Sequence, residues 1–332
     1  MNVWLPTIRA GSGVDVFNER LASGLQKSGI KATITWFNQC FEFFPGVLKF
    51  VSPPANTDII HVNSWNGFAF ERNQSKTLVT VHLCVHDPIL EKYKSGLQSV
   101  YHNTLVYRHE SKSLAVADMV NGVSRYTTDI VKQLFNPGST TVVYNGINTS
   151  HFNVRQKTAV NRKFSLLFVG NPTRRKGFDL LRPIMERLGP DYVLNYTSGF
   201  RSKPPGQAEN MFDVGRLGGD ALVNAYQDCD ALLFPSRAEG FGYSVCEAMA
   251  CGKPVIVSDN TSMPELVKKD ETGYLCPTDD VDAFVRAIRT LAANPEIARQ
   301  MGQSGREHVL QNFTLEKMIE NYIRLYQEML DA

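Results

Sequence analysis

Ser236-Arg237-Ala238-Glu239-Gly240-Phe241-Gly242-Tyr243-Ser244-Val245-Cys246-Glu247, continued by Ala248-Met249-Ala250-Cys251-Gly252-Lys253-Pro254, lies between two short apolar runs. Ala231–Phe234 ahead of it and Pro254–Val257 behind it read as strands, and Pro235 closes the first. Strand, glycine-interrupted turn, helix and strand make one βαβ unit of a parallel sheet. Such units bind ligands beyond the carboxyl ends of their strands, where the turn meets the helix start. The N–H groups of Gly242, Tyr243 and Ser244 would point outward there. A helix start also carries partial positive charge, so the turn suits a phosphate or pyrophosphate.

Two carboxylates stand eight positions apart across this turn. Glu239 falls on the turn itself and Glu247 inside the helix. A purely structural reading exists for both. Ser244-x-x-Glu247 fits a capping box, in which the two side chains satisfy each other's backbone donors, and Glu239 fits an ordinary loop acid. A carboxylate beside an anion site is unfavourable unless it faces something else, such as a sugar hydroxyl or a developing cation.

The run Pro-Ser-x-x-Glu-Gly-Phe-Gly, followed by Glu-Ala-Met-Ala-x-Gly-x-Pro-Val-Ile, resembles the signature of glycosyltransferase family 4. The resemblance implies an α/β chain of GT-B fold: two Rossmann-like parallel-sheet domains facing a central cleft. It implies retaining transfer from a nucleotide-diphosphate sugar. The expected layout is an acceptor-side domain over 1–155, a donor domain over 160–314, and a final helix, 315–332, packed back onto the first domain.

The whole chain is compatible with this layout. Its 332 residues give room for two domains, and an apolar share of 43% is that of a globular protein. No apolar run reaches membrane-spanning length, and the first residues read as a strand with no signal peptide evident. The cysteines at 40, 84, 229, 246, 251 and 276 form no C-x-x-C pair, and several lie in apolar contexts and read as reduced core thiols of a cytoplasmic protein. A net charge of +2 gives no reason to expect nucleic-acid binding. Residues 1–160 carry a mild basic excess, compatible with an anionic membrane surface or an anionic acceptor.

In the first half, a strand from Asn2 is followed by Gly11-Ser12-Gly13 and an amphipathic helix from Val14 to Lys27. The full G-x-G-x-x-G of a dinucleotide site is missing, which argues against a nicotinamide dehydrogenase. The resemblance implies that Gly11, Ser12 and Gly13 approach the donor phosphates or the acceptor. Phe41 to Val51 reads as an aromatic loop, Gln98 to Ala117 as one helix, and Ser124 as the N-cap of the next. His82 ends the strand Lys76–His82; by the resemblance it faces the donor sugar. His61 and His86 read as structural.

In the second half, the strand Phe164–Gly170 leads into Asn171-Pro172-Thr173-Arg174-Arg175-Lys176-Gly177 and a helix from Phe178. Three cations at a helix start oppose its dipole, and a bound polyanion would account for them. The family pattern here is Gly-Arg-x-x-x-x-Lys-Gly, with Arg and Lys gripping the pyrophosphate. Lys176 matches the Lys, Asn171 replaces the Arg, and Arg174 or Arg175 is expected to reach in instead. Phe212–Leu217, with Arg216, resembles the segment whose backbone meets the base. Pro264-Glu265-Leu266 is a further family feature, but Thr261-Ser262 replaces its usual glycine pair. The Asp-x-Asp triplets at 228–230 and 280–282 have structural explanations, and no cluster has metal-ligand spacing.

The expected chemistry is therefore metal-independent and needs no cofactor beyond the nucleotide-sugar co-substrate. Lys176, an arginine and the Gly240–Ser244 turn would stabilise the departing diphosphate, Glu239 would tend the sugar, and Glu247 would hold the ribose. The acceptor would be a glycan, a lipid-linked or a small-molecule hydroxyl, with peripheral contact at the inner face of the membrane. A nucleotide-sugar epimerase or hydrolase on the same scaffold is one alternative. A non-catalytic nucleotide-sugar binder is another.

Overall fold

A computed structural model of the chain describes residues 1–9, 11, 13–155, 163–198 and 207–332. The chain forms two compact units, one of Met1–Gly146 with Leu315–Ala332 and one of Ile147–Thr314. It enters the second unit at Ile147, ahead of the boundary expected between 155 and 160, and returns to the first at Leu315.

The first unit holds a six-stranded sheet: β1 (Asn2–Ile8), β2 (Lys31–Phe37), β3 (Ile59–Asn63), β4 (Lys76–Val81), β5 (Met119–Gly122) and β6 (Thr140–Val142). The order is β2-β1-β3-β4-β5-β6, every pair parallel. Because helices cover both faces, the central strands are continuous apolar runs rather than alternating ones; Val3 through Ile8 are all buried. Pro6 cannot donate to a ladder, and β1 pairs with β3 only at Val3 and Trp4.

The helix Gly13–Lys27 buries Phe17, Leu21 and Leu25 on one face. That face meets the final helix, Leu315–Asp331, whose Met318, Ile319, Tyr322 and Tyr326 share its core. The single helix expected over Gln98 to Ala117 is broken. Gly96–Tyr101 and Tyr107–Ala115 are joined by a π-helical turn at His102–Val106, a widened turn that lets His102, Val106 and Glu110 all face inward. The stretch expected as an aromatic loop forms two 3₁₀ turns, Gln39–Glu42 and Pro45–Phe50.

The second unit holds β7 (Phe164–Phe168), β8 (Tyr192–Tyr196), β9 (Met211–Asp213), β10 (Ala231–Phe234), β11 (Val255–Ser258) and β12 (Gly273–Cys276). Its parallel order is β12-β11-β10-β7-β8-β9. Strand order reverses between β7 and β10, and the two loops leaving these strands diverge there. The strand expected over Phe212–Leu217 is shorter: it ends at Asp213, whose Oδ1 accepts from Gly215 N at 2.8 Å where φ turns to +71°.

Candidate functional site at the strand-order reversal of the second unit

The loops after β7 and β10 are bound together before any ligand is considered. Gly177 has φ +69°, and a Cβ there would lie 1.9 Å from the Pro235 carbonyl oxygen, so only glycine fits the crossing. Across it, Arg237 N donates to Arg175 O at 2.8 Å and Arg175 Nη1 to Ala238 O at 2.6 Å. Ser244 Oγ donates to Val169 O at 3.1 Å, tying the start of the helix Tyr243–Ala250 to the end of β7.

At the centre of this junction Lys176 Nζ donates to Glu239 Oε1 at 2.5 Å. Ser236 Oγ donates to the same oxygen at 2.6 Å, and Arg175 Nη1 stands 3.7 Å from it. Glu239 is 7% exposed. Burial alone would raise its pKa, but the Lys176 and Arg175 charges and the Lys176 and Ser236 hydrogen bonds outweigh it and hold the carboxyl below its usual range. Burial pulls the Lys176 ammonium below its ordinary value despite the opposing Glu239 charge, and Arg175 adds to the effect. Lys176 Nζ also lies 5.0 Å from the centre of the Phe234 ring. The result is a carboxylate and a lysine held together in a largely dehydrated crevice.

The glycine turn then enters the helix Tyr243–Ala250. Gly242 is its N-cap, at φ +109°. Ser244 is therefore the second helical residue, and the capping box expected from Ser244-x-x-Glu247 does not form. Glu247 instead accepts from the Tyr226 hydroxyl at 3.0 Å, and both are buried. Burial, with the Glu247 charge beside it, pushes the Tyr226 hydroxyl well above its ordinary pKa, so Tyr226 stays a donor. Gly240 is buried, and Phe241 packs edge-on against Tyr243 and Phe313. Arg174 and Arg216 are exposed, Arg216 beyond β9 and two strands away from β7.

Sequence reasoning overlooked three residues that set this geometry. Arg237 is buried and grips Asp179 with two hydrogen bonds, at 2.6 and 2.9 Å, and Asp279 with one at 2.6 Å. It also donates to the Arg174 carbonyl, fixing the turn that carries Lys176. Thr261 and Ser262 stand where glycines were expected. Thr261 takes the left-handed conformation at φ +46°, and its Oγ1 accepts from Glu239 N at 3.2 Å. Ser262 Oγ donates to Glu239 O at 3.1 Å and Phe241 O at 2.9 Å. The departure from glycine at both positions was the available signal.

Both Asp-x-Asp triplets have structural partners. Asp230 accepts from Ser165 N at 2.8 Å, and Asp228 pairs with Arg155. Asp280 caps the helix Val281–Ala293, while Asp282 pairs with Arg187 at 2.9 Å. Among the described residues no three His, Cys, Asp or Glu side chains are grouped to hold a metal ion. Cys40 is exposed and the other five cysteines are buried.

In the first unit His82 follows β4 and sets its ring edge-on against Phe17, 4.6 Å between centroids. Burial lowers its pKa to about 4. His61 is structural: its ring nitrogens sit 2.7 Å from Tyr326 Oη and 2.7 Å from Thr80 Oγ1, and burial with His82 nearby lowers its pKa to about 3. His86 is packed between Tyr107 and Phe135, 3.1 Å from the buried Glu110. Gly11, at φ +63°, donates its N–H to Asp15 Oδ2 at 2.7 Å, and Gly13 opens the following helix. Ser12 lies outside the described residues.

Two family models match separate stretches of the chain: Glycosyltransferase Family 4 over residues 41–151 and Glycosyl transferases group 1 over 201–308. A D-inositol 3-phosphate glycosyltransferase of Saccharomonospora viridis is 29% identical over 182 residues, 54% of this chain and 38% of that protein. Across five curated relatives the matched part spans 26% to 65% of their own length. The sucrose-phosphate synthase structure from Thermosynechococcus elongatus superposes with a TM-score of 0.85 at 22% identity, covering 100% of both chains. Anabaena HepE in complex with UDP and glucose gives 0.74 at 16% identity, over 98% of this chain and 99% of that one. Together these matches make the chain a glycosyltransferase with domains of the family 4 type and the GT-B fold.

Proposed function

We propose that this chain is a retaining glycosyltransferase that moves a sugar from a nucleotide-diphosphate sugar to an acceptor hydroxyl without a catalytic metal. The observation that carries this reading is the Lys176–Glu239 contact beside Arg175 and the start of the helix Tyr243–Ala250. Transfer breaks the bond between the anomeric carbon and the diphosphate oxygen as the acceptor oxygen bonds to that carbon. Positive charge grows on the sugar and negative charge on the leaving group, and an enzyme gains rate by stabilising both more in the transition state than before it.

Lys176, Arg175 and the first-turn amides supply the positive side. In this reading a diphosphate bound at the helix start is met by these two cations. Glu239 supplies the negative side: held ionised by its neighbours, it accepts from sugar hydroxyls and lends charge near the anomeric centre. In this reading the acceptor's proton passes to the departing phosphate oxygen on the same face, which preserves the anomeric configuration. Glu247, oriented by Tyr226, accepts from the ribose hydroxyls, and His82, neutral at physiological pH, is a further proposed sugar contact. The acceptor belongs to a glycan, a glycolipid or a small molecule. HepE, bound to UDP and glucose, supports a uridine nucleotide as the first donor to try.

The test is a thermal-shift panel of nucleotide sugars, followed by acceptor trials with the best donor and determination of the product's anomeric configuration. Donor-dependent stabilisation followed by a retained product supports the proposal. Release of free sugar faster than transfer to any acceptor would replace it with a hydrolase.

A further inference from the structure

Arg175, Lys176 and Arg237 are packed into the junction of the loops after β7 and β10, and they are committed unequally. Arg237 is spent on Asp179, Asp279 and the Arg174 carbonyl, and Arg175 donates to the Ala238 carbonyl at 2.6 Å. An ammonium has three N–H donors and no fixed plane. Among the described residues Lys176 Nζ makes one hydrogen bond, to Glu239 Oε1 at 2.5 Å, and otherwise lies over the Phe234 ring. The backbone beneath it is pinned. Lys176 N donates to Thr173 Oγ1 at 3.3 Å, and Arg237 N to Arg175 O at 2.8 Å. What is left to move is the four-carbon stem.

Glu239 is loaded on one side. Lys176 Nζ, Ser236 Oγ at 2.6 Å and Arg175 Nη1 at 3.7 Å all converge on Oε1. Among the described residues no side chain donates a hydrogen bond to Oε2. If Lys176 withdraws, the carboxylate keeps the Ser236 hydroxyl and the Arg175 charge, so it is weakened in support but not stranded.

The donor site gives Lys176 a second anion to meet. A diphosphate carries more charge than one carboxylate and offers several oxygens, so it competes strongly for an ammonium held by a single bond. We infer that the donor's diphosphate takes Lys176 from Glu239, and that filling the phosphate site thereby releases Oε1 to accept from the sugar hydroxyls, an inference that rests on the donor-site reading. The exchange couples the two halves of the donor. A sugar that arrives without a diphosphate meets an oxygen already occupied by Lys176, whereas the intact donor removes that competitor as it binds.

The test is calorimetric titration of the full chain with uridine and guanosine diphosphates, in the wild type, Glu239→Gln, Lys176→Gln and Lys176→Gln/Glu239→Gln. Glu239→Gln is expected to bind the diphosphate about tenfold more tightly, because the rival for Lys176 is gone. In the Lys176→Gln background the same substitution should change affinity by about twofold or less. No gain in Glu239→Gln would overturn the inference. An equal gain in both backgrounds would overturn it too, since that is the plain removal of a negative charge. Lys176→Gln weakens the fold, so a crystal structure of the wild type with the bound diphosphate provides a second readout. Lys176 Nζ within about 3 Å of a phosphate oxygen and farther than about 3.5 Å from Glu239 Oε1 is the expected result, and an intact Lys176–Glu239 bond would contradict the exchange. Failure of the wild type to bind either diphosphate would instead overturn the donor-site reading, and the exchange with it.

Discussion

Lys176 Nζ stands 2.5 Å from Glu239 Oε1, a contact between residues 63 positions apart in sequence that joins the loops leaving β7 and β10. Both side chains are largely out of solvent, at 18% and 8% exposure. Each therefore depends on the other for its charge, and this interdependence underlies the first two predictions.

Glu239→Ala is expected to lower turnover by about two to three orders of magnitude, the scale for losing one preorganised electrostatic group. Nucleotide binding should remain measurable, because the cations that would meet the diphosphate are retained. Steady-state kinetics beside calorimetric nucleotide titration separate the two effects. Near-normal turnover would remove Glu239 from the chemistry.

Lys176→Gln is expected to weaken donor binding and also to destabilise the fold. Removing one partner strands a buried carboxylate, which costs roughly 3 kcal/mol, lessened here because Arg175 stays nearby. Urea denaturation reports the stability change and nucleotide titration the affinity. Lys176→Gln/Glu239→Gln should recover part of the stability but none of the activity. A double variant no more stable than the single one would show the two residues to be uncoupled.

Stability should fall on mild acidification. His82 and His61 titrate at about 4 and about 3 in the folded chain, against 6.5 when unfolded. Between those values the unfolded chain binds more protons, so the contribution is complete above pH 6.5 and is lost as pH falls through the window. Glu239 acts with the same sign at lower pH: its depressed pKa stabilises the fold above the ordinary carboxylate range and ceases to as pH falls through the folded value. A urea midpoint that rises between about pH 7 and pH 5 would contradict this reading.

Ser262→Ala removes the hydroxyl that donates to the carbonyls of Glu239 and Phe241. With the turn buried, a loss of about 1–2 kcal/mol in stability is expected. Turnover should fall more than nucleotide affinity, because the substitution loosens Glu239 rather than the cations. A variant with unchanged kcat would make the hydroxyl purely structural.

The central βαβ unit was legible because its boundaries are local: Pro235 closes β10, and glycines mark the turn before the helix. Lys176 stood out because cations at a helix start are chemically out of place, but its contact with Glu239 across 63 positions could not be read from the spacing. Other features left no local trace. Arg237 is adjacent in sequence to the Glu239 turn, but its partners Asp179 and Asp279 lie 58 and 42 residues away. Ser244-x-x-Glu247 has the spacing of a capping box whether or not the helix begins at Ser244, and here Gly242 takes the cap. The π-helical turn at His102–Val106 changes the helical repeat without any proline or glycine to announce it. Thr261 shows the converse: a lost glycine was visible, but its left-handed backbone and its bond to the Glu239 amide were not.

The central claim is that a departing diphosphate is neutralised where the loops after β7 and β10 meet. The most direct measurement is a crystal structure of the chain with the sugar nucleotide that gives the largest thermal shift. The account predicts pyrophosphate oxygens within about 3 Å of Lys176 or its arginine neighbours and of the amides at Gly242–Ser244, with Glu239 facing the sugar. A pyrophosphate bound away from residues 174–176 and 242–244 would contradict it.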